Sequence, residues 1–387
     1  MRNFVLTSTS VTDGHPDKLC DRISDAIVDA YLAQDPDAWV NAECALASGI
    51  AFVAADAATS ARLDLPALVR GVVEETGYDN PEFEPDAMTV LSSATHPPRP
   101  PEPKRRPTEA VSRVNATLFG FACRHTEELM PLPVTLAHRL VRRMRTLRAG
   151  DGAPLLHPDA QAQVAVRHED RRPISIEGVT LSATLRPDLS GLQDAADAIR
   201  EEVLTPVLAE LGLPVAPTAE IEFSPAATAP RGPSQHAGLT GRKNDIDTYG
   251  GYCRQGGAAL SGKDPGRADR IGAYAARYVA KNIVAADLAD ECEVQISYAI
   301  GKSRPLCVEI DTFGSGIARD EEIRRALEQE MDFTIGAICT RFGLGEKPGR
   351  NNGRFFADLG AYGHFGRTEL DLPWEATDLA AGLKRRF

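Results

Sequence analysis

The sequence predicts an α+β fold made of three similar units. Two observations lead to this prediction. Apolar residues follow helical and strand periodicities in the order helix, strand, strand, helix, and this order occurs three times along the 387 residues. Two stretches rich in proline, glycine or charged residues, at residues 97–107 and 224–238, divide the chain into thirds.

The first unit opens with a helix that follows the motif "GHPDK". Its apolar side chains recur at helical spacing, and Asp21, Arg22, Asp25 and Asp29 fall on the other side. Pro36 cannot continue the helix, so we expect it to stop at "QDPD".

The rest of the first unit alternates between strand and helix. Two apolar runs at residues 42–47 and 50–55, separated by Ser48 and Gly49, predict a strand pair. The segment 65–78 predicts a helix with Pro66 in its first turn.

The second and third units repeat this order. In the second unit the predicted order is a helix at 132–147, strands at 162–170 and 174–185, and a helix at 192–211. In the third unit it is a helix at 272–289, strands at 293–300 and 306–313, and a helix at 320–331. The two linkers give the domain ranges 1–96, 110–232 and 233–387, with a Pro-rich basic loop at 97–109.

The composition excludes several classes of protein. Lys and Arg number 43 against 55 Asp and Glu, and a net charge of -12 does not favour binding to nucleic acid or to an anionic membrane. The seven cysteines are scattered and form no CxxC pair, which fits reduced thiols better than a disulfide framework or a zinc site. No apolar run could span a bilayer and the first residues lack a signal-peptide core, so we expect a soluble cytoplasmic protein.

The motif "GHPDK" has two interpretations. It can be a plain helix start in which Asp13 or Asp17 caps the helix and Pro16 lies in its first turn. Alternatively, the free N–H groups of the helix start bind a phosphate group. In that case His15 donates a hydrogen bond to a phosphate, Asp17 holds Mg²⁺ and Lys18 orients the turn.

Two glycine-rich stretches downstream carry a second set of charges. "GLTGRKNDIDTYGG" contains Arg242 and Lys243, and "GGAALSGKDPGRADR" contains Lys263, Arg267 and Asp269. Glycine lets the backbone approach a ligand, and the cations can clamp a polyphosphate. A pair of glycine-rich turns with solvated charges would show the same residue pattern. The second stretch is not a Walker A loop, since "LSGKDP" lacks the upstream glycine spacing and the Ser or Thr after the lysine.

Taken together, the motifs resemble those of one family. "GHPDK", "GLTGRK", "SGKDP", "YAARYVAKNIVAA", "QISYAIG" and "AYGHFGR" occur in this order, and the chain resembles S-adenosylmethionine synthetases from about Phe4 to Trp374. The resemblance implies three pseudo-symmetric domains of the α/β-sandwich type. It also implies an ATP-dependent methionine adenosyltransferase of one-carbon metabolism, whose active sites lie between the subunits of a homodimer, often paired into a homotetramer.

The resemblance also implies roles for individual residues. His15 assists the departure of triphosphate from C5′, Asp17 and Asp269 hold Mg²⁺, and Glu43 holds K⁺. Further contacts to ATP, chiefly to its triphosphate, are implied for Asp159, Gln161, Arg242, Lys243, Ala259 and Lys263. A thioether needs no general base, so positioning and charge neutralisation should dominate this reaction.

The nucleophile pocket departs from the family pattern. Asp56, His236, Arg267, Ile300 and Lys302 stand at its positions. The family has Glu, Asp and Lys where this chain has Asp56, His236 and Arg267, and a small apolar residue where it has Lys302. Other family residues align with Pro97 (Gln in the family) and Val114 (Asp), and two ATP contacts align with Gln161 (Lys) and Thr228 (Phe).

These changes lead to a hypothesis about the substrate. Each lost charge-assisted contact costs roughly 1.5–3 kcal/mol, so the nucleophile is either a compound without an ammonium group or one with an added anionic group. Two alternatives to an adenosyltransferase stay open at this point: a nucleotide or polyphosphate hydrolase, and a non-catalytic regulatory partner of a true synthetase. The basic loop 97–107 is either a gate over an anionic ligand or a solvated spacer.

Overall fold

A computed structural model describes residues 3–78, 83–98, 110–149, 156–185, 192–210, 212–225 and 232–387. The strands are β1 (Phe4–Val11), β2 (Trp39–Ala47), β3 (Ile50–Ala58), β4 (Thr89–Thr95), β5 (Ala116–Cys123), β6 (Leu156–Glu169), β7 (Arg172–Leu185), β8 (Val215–Pro225), β9 (Gly238–Leu239), β10 (Glu291–Tyr298) and β11 (Cys307–Asp311).

The helices lie between these strands and, in the last part of the chain, after them. They are α1 (Pro16–Gln34), α2 (Leu65–Thr76), α3 (Leu132–Ala149), α4 (Leu192–Ile199), α5 (Thr205–Ala209), α6 (Asn244–Asp247), α7 (Ala268–Ala285), α8 (Asp320–Glu328), α9 (Ile335–Phe342), α10 (Lys347–Arg350) and α11 (Ala380–Lys384). A π-helical segment at Arg200–Leu204 joins α4 to α5 without a gap, so the single helix predicted for 192–211 forms as far as Ala209 but is not α-helical throughout.

Helix α1 starts after a residue that the sequence did not single out as a cap. The side chain of His15, rather than that of Asp13 or Asp17, accepts a hydrogen bond from the Asp17 N–H at the N-cap position. Asp13 is instead surrounded by arginines, with Arg145 Nε at 3.0 Å and Arg148 Nη1 at 3.2 Å from its carboxylate. The helix ends at Gln34, two residues before Pro36, as predicted.

The strands form three sheets. Sheet A has the order β1-β6-β7-β8, sheet B the order β4-β3-β2-β9, and sheet C the order β11-β10-β5. The predicted pair β2 and β3 is antiparallel and turns at Ser48, whose φ of 52° lies in the left-handed region. One long helix covers each sheet, α3 on sheet A, α1 on sheet B and α7 on sheet C, which confirms the three-unit α+β architecture.

In each sheet, one strand comes from another third of the chain than the remaining strands of that sheet. Strand β1 pairs with β6 of sheet A, and β5 pairs with β10 of sheet C. The short strand β9 returns to β2 of sheet B. The sheets therefore exchange strands in a cycle, and they cut across the domain ranges proposed from the linkers.

The apolar core follows these layers. One buried cluster lies between α1, α7 and sheets B and C, and a smaller one lies between α3 and sheet A. The polar side of α1 is buried as well, since the side chains of Asp21, Asp25 and Asp29 have at most 1% of their surface exposed. The described part of the chain contains no helix that is both long and apolar enough to cross a bilayer.

The two predicted linkers differ in how much of them the structure describes. Residues 99–109 of the basic loop and Thr228 lie outside the described residues. Gly232 and Pro233 of the second stretch are buried, and this segment forms part of the site described below. Its described part, residues 232–238, therefore does more than connect two domains.

Candidate active site

The start of α1 places an uncharged, largely buried imidazole at the N-terminus of the helix. His15 Nδ1 accepts the Asp17 N–H at 3.2 Å, so in the neutral ring the proton resides on Nε2. Burial lowers the pKa of His15 to about 4, and this outweighs the nearby carboxylates of Asp159 and Asp17. At neutral pH the ring therefore offers Nε2–H as a hydrogen-bond donor.

Asp17 is held ionised beside this ring. Burial by itself would raise its pKa, but Lys243 Nζ at 2.9 Å and the Leu239 N–H at 3.0 Å lower it below the usual 3.8. Arg242 Nη1 lies 3.5 Å from the same carboxylate. "GHPDK" and "GLTGRK", far apart in the sequence, thus meet at one point.

Asp159 and His236 complete this set of residues, which we call the His15 group. Asp159 Oδ2 accepts hydrogen bonds from the Gly232 N–H at 3.1 Å and from His236 Nε2 at 2.9 Å. The rings of His15 and His236 meet edge to face, with their centroids 5.0 Å apart. The Asp159 side chain is fully buried, and its Oδ1 has no hydrogen-bond partner among the described residues.

Buried contacts next to the His15 group fix the turn that carries His15. Lys18 is fully buried and binds the carboxylates of Asp21 and Asp247, and Asp21 in turn accepts the Gly241 N–H at 2.8 Å. A Cβ atom on Gly14 would lie 2.4 Å from Pro158 Cβ, so only glycine fits against that residue. Lys18 therefore orients the turn from below.

A second cluster of charges, which we call the Lys263 group, precedes α7. Lys263 Nζ and Arg267 Nη2 each lie 3.5 Å from Asp269 Oδ2, and Lys263 Nζ also donates to the Ala259 carbonyl at 2.6 Å. Burial lowers the pKa of Lys263, with Arg267 and Arg270 adding to the effect and Asp269 opposing it.

The Lys263 group adjoins the outward face of sheet B. Lys263 bridges to Asn41 of β2, which pairs in register with Asp56 of β3. Asp56 is exposed and accepts a hydrogen bond from Thr95 Oγ1 at 2.7 Å. Glu43 lies two residues from Asn41 on the same exposed face.

Ile300 and Lys302 occupy the turn after β10. Ile300 N–H donates to Asn115 Oδ1 at 2.9 Å, and the Lys302 carbonyl accepts the Ser112 N–H at 2.8 Å. Arg113, which follows Ser112 in the chain, binds the Asp264 carboxylate. Its guanidinium carbon lies 4.6 Å from the centroid of the Trp39 ring. Neither Arg113 nor Asp264 was predicted from the sequence as a site residue, although Asp264 belongs to the motif "SGKDP".

The His15 group and the Lys263 group contact α1 at different positions along its axis. The loop of the His15 group contacts Asp17 and Asp21, and the loop of the Lys263 group contacts Asp25 through the Gly262 N–H at 2.8 Å. Since a helix rises about 1.5 Å per residue, Asp17 and Asp25 are about 12 Å apart along its axis. No ion pair or hydrogen bond joins the two groups within the described ranges.

Most of the predicted site residues therefore fall into two sets, and Glu43, Ile300, Lys302 and Gln161 belong to neither. His15, Asp17, Asp159, His236, Arg242 and Lys243 meet in the His15 group. Asp56, Lys263, Arg267, Asp269 and Ala259 adjoin the Lys263 group. Gln161 lies on β6, opposite Val11 and Ser182, and its side chain makes no hydrogen bond recorded within the described residues.

Comparisons with known proteins cover nearly the whole chain. Three family models match: the N-terminal domain of S-adenosylmethionine synthetase at residues 3–96, its central domain at 112–224 and its C-terminal domain at 231–376. The S-adenosylmethionine synthase of Synechococcus sp. (strain JA-2-3B'a(2-13)) is 44% identical and covers 98% of this chain and 97% of its own. That of Gloeobacter violaceus is 43% identical and covers 100% of this chain and 98% of its own.

Proposed function

Since the chain belongs to the S-adenosylmethionine synthetase family, we propose that it transfers the adenosyl group of ATP to the sulfur atom of methionine or of a related compound. It is an ATP-dependent adenosyltransferase, in which sulfur attacks C5′ and triphosphate departs. The observation that carries this proposal is the His15 group, in which a neutral N–H donor, an ionised carboxylate and two cations converge.

The His15 group suits the leaving-group side of the reaction. His15 Nε2–H donates to the oxygen that leaves C5′, without a proton being removed first. Lys243 and Arg242 neutralise negative charge on the departing triphosphate. Lys263 supplies a further cation from the second group, and we assign the ATP contacts of Asp159, Gln161 and Ala259 to the same binding mode.

Metal ions would supply further neutralisation. Asp17 and Asp269 are carboxylates, the ligands that Mg²⁺ prefers, and each lies beside lysine and arginine side chains that bind phosphate. We propose that they hold Mg²⁺ and that Glu43 holds K⁺, since the exposed carboxylate of Glu43 forms no ion pair within the described ranges.

We locate the nucleophile between the two groups. Asp56 is an exposed carboxylate able to face an ammonium group, and Arg267 and Lys302 are cations able to face a carboxylate. The mixture suits a small sulfur compound that carries at least one anionic group. Methionine meets this description, and so do sulfur compounds without its ammonium group.

The assembly of the site requires a second copy in our proposal. Phe52, Ile50, Leu91 and Leu239 are 44–52% exposed on the outward face of sheet B, beside Glu43 and Asp56. Such a patch favours burial against a partner. We propose a homodimer or a homotetramer formed through this face, with active sites at the interface.

The metabolic role and the cellular location that we propose follow from membership of this family. The chain acts in one-carbon metabolism, and all seven cysteines are free thiols, which suits the reducing cytoplasm that we propose as its location. The hydrolase and the non-catalytic partner considered from the sequence find no support among the relatives, which carry the name of a synthase.

Mass spectrometry of the purified full chain with ATP, Mg²⁺ and K⁺ tests the function. With methionine or 3-(methylthio)propionate added, we expect an adenosylated sulfur product together with products of triphosphate departure. Phosphate release from ATP without any adenosylated product would identify a hydrolase instead. Intact ATP under every condition would identify a non-catalytic protein.

A further inference from the structure

The hydrogen bond between His236 and Asp159 has no use in the reaction described so far. A thioether attacks C5′ and becomes a sulfonium ion without losing a proton, so the established chemistry of the family needs no base. Yet His236 Nε2 lies 2.9 Å from the fully buried carboxylate of Asp159, which is itself anchored by the Gly232 N–H. An imidazole oriented by a buried carboxylate is the arrangement of a general base.

The hydrogen bonds give the two neighbouring histidines opposite proton functions. In the neutral His15 ring, Nδ1 accepts from the Asp17 N–H, which leaves Nε2–H as a donor. In the neutral His236 ring, Nε2–H donates to Asp159, which leaves the lone pair of Nδ1 as an acceptor. A donor and an acceptor therefore stand edge to face, with their ring centroids 5.0 Å apart.

The acceptor nitrogen of His236 has no partner within the described residues. The His236 side chain is 36% exposed, and its Nδ1 makes no hydrogen bond within the described residues. The charged and titratable groups around it are His15, Asp159, Asp17, Arg242 and Lys243. The partial exposure of the His236 side chain and the 5.0 Å between the two ring centroids allow one bound substrate pair to contact both histidines.

We propose that His236, positioned by Asp159, is the general base for a protic sulfur nucleophile, so that this chain adenosylates a thiol in addition to a thioether. The proposal rests on the proposed adenosyl transfer and names a substrate class for the same site. The S–C5′ bond forms as the C5′–O bond breaks, and the electron pair of that bond leaves with the triphosphate. The S–H proton passes to His236 Nδ1, and the product is a neutral thioether.

A metal ion is the competing use of these side chains. One ligand atom each from His15, Asp159 and His236 lies within 4.8 Å of the others, which suits a transition metal. The hydrogen bonds argue against it, because the Nδ1 lone pair of His15 and the Nε2 proton of His236 are already engaged. The experiment below separates the two uses.

The test compares sulfur compounds that differ only in S–H against S–CH₃. The pairs are homocysteine with methionine, and 3-mercaptopropionate with 3-(methylthio)propionate, each with the full chain, ATP, Mg²⁺ and K⁺. We expect the wild type to adenosylate a thiol. In His236→Asn, which keeps a donor to Asp159 but has no basic nitrogen, we expect the thiol rate to fall at least about 100-fold further than the thioether rate.

The pH profile separates a base from a structural residue. Thiols ionise with a pKa near 8.5, so we expect the thiol rate of His236→Asn to rise with pH towards that of the wild type. The control Gln235→Ala changes the exposed neighbour in the same loop and should leave both rates unchanged. Equal loss on thiol and thioether in His236→Asn, at every pH, would show a structural role and overturn the proposal.

Two further results would also overturn it. If removal of transition metals abolishes the thiol rate at constant Mg²⁺ and Zn²⁺ restores it, the three side chains hold a metal instead. If the wild type makes no product from a thiol but makes one from a thioether, this inference fails while the proposed function stands. No product from either member of the pairs counts against both.

Discussion

Asp17 is the single residue at which backbone, cations and the proposed metal meet. Its carboxylate accepts the Leu239 N–H and lies within 3.5 Å of Arg242 and Lys243. Because the side chain is nearly buried, its negative charge is offset almost entirely by these neighbours. The charge of this one group therefore sets the local balance that a magnesium–triphosphate complex would encounter.

The role of the negative charge of Asp17 can be tested by removing it. In Asp17→Asn the amide oxygen still accepts from Leu239, so we expect folding to be retained and kcat for adenosyl transfer to fall at least about 100-fold. The control Asp245→Asn removes a nearby exposed acid and should behave like the wild type. Steady-state kinetics with circular dichroism provide the check, and near-normal kcat in Asp17→Asn would rule out its role.

The individual site residues could be predicted in part from the sequence. "GHPDK" and "GLTGRK" contain the charges that meet in the His15 group, because a phosphate site requires these residue types at a helix start and in glycine-rich turns. The contact of His236 with Asp159 was not foreseen, because these residues lie in segments whose spatial meeting depends on sheet A. Arg113 follows the basic loop and gave no periodic signal.

Helix α1 shows how one element supports the site from behind. Asp21, Asp25 and Asp29 project from its polar side into the protein and accept backbone N–H groups from three separate loops. Asp29 alone accepts the N–H groups of residues 355–357, each at 2.9 Å, while burial raises the pKa of Asp29 to about 7. The helix thus organises loops through buried carboxylates as well as through apolar packing.

The ion pair of Asp25 and Arg270 provides a prediction for this element. Both side chains are fully buried, so Arg270→Met leaves an uncompensated carboxylate, and we expect the free energy of unfolding to fall by about 3–5 kcal/mol. The exposed pair of Arg325 with Glu321 is the control, since Arg325→Ala should hardly change stability. Urea denaturation measures both, and equal effects would contradict this account of α1.

At the same scale, the periodicity of the sequence predicted the long helices and the strand pairs well. The helix predicted at 192–211 forms as far as Ala209, but its middle is a π-helical segment just before Pro206, which the periodicity did not predict. Five strands were not predicted as such, namely β1, β4, β5, β8 and β9. Even where a strand can be recognised, its partner depends on tertiary packing that no local pattern records.

For the whole molecule, the exposed apolar face of sheet B is the feature with the largest consequence. It carries Phe52 and Ile50 in the open and borders both charged groups. A single chain leaves this face in contact with water, which is costly for a surface of this kind. Association and catalysis are therefore linked in our proposal.

The prediction at this scale is a change in assembly. Phe52→Lys should dissociate the oligomer and abolish most activity, because a lysine in an apolar interface is poorly tolerated. Val5→Lys introduces the same charge at a similarly exposed position on β1 of sheet A and should leave assembly intact. Sedimentation velocity gives the result, and an unchanged mass for Phe52→Lys would place the interface elsewhere.

The cyclic exchange of strands also bears on how the chain is made. On the ribosome, β1 emerges long before β6, and β2 long before β9, yet each needs the later strand to complete its sheet. We therefore do not expect the N-terminal third to fold as an independent unit during synthesis. Its native contacts have high contact order, so folding should be slow, and nascent chains that stall in the central third would expose unpaired strand edges to chaperones and proteases.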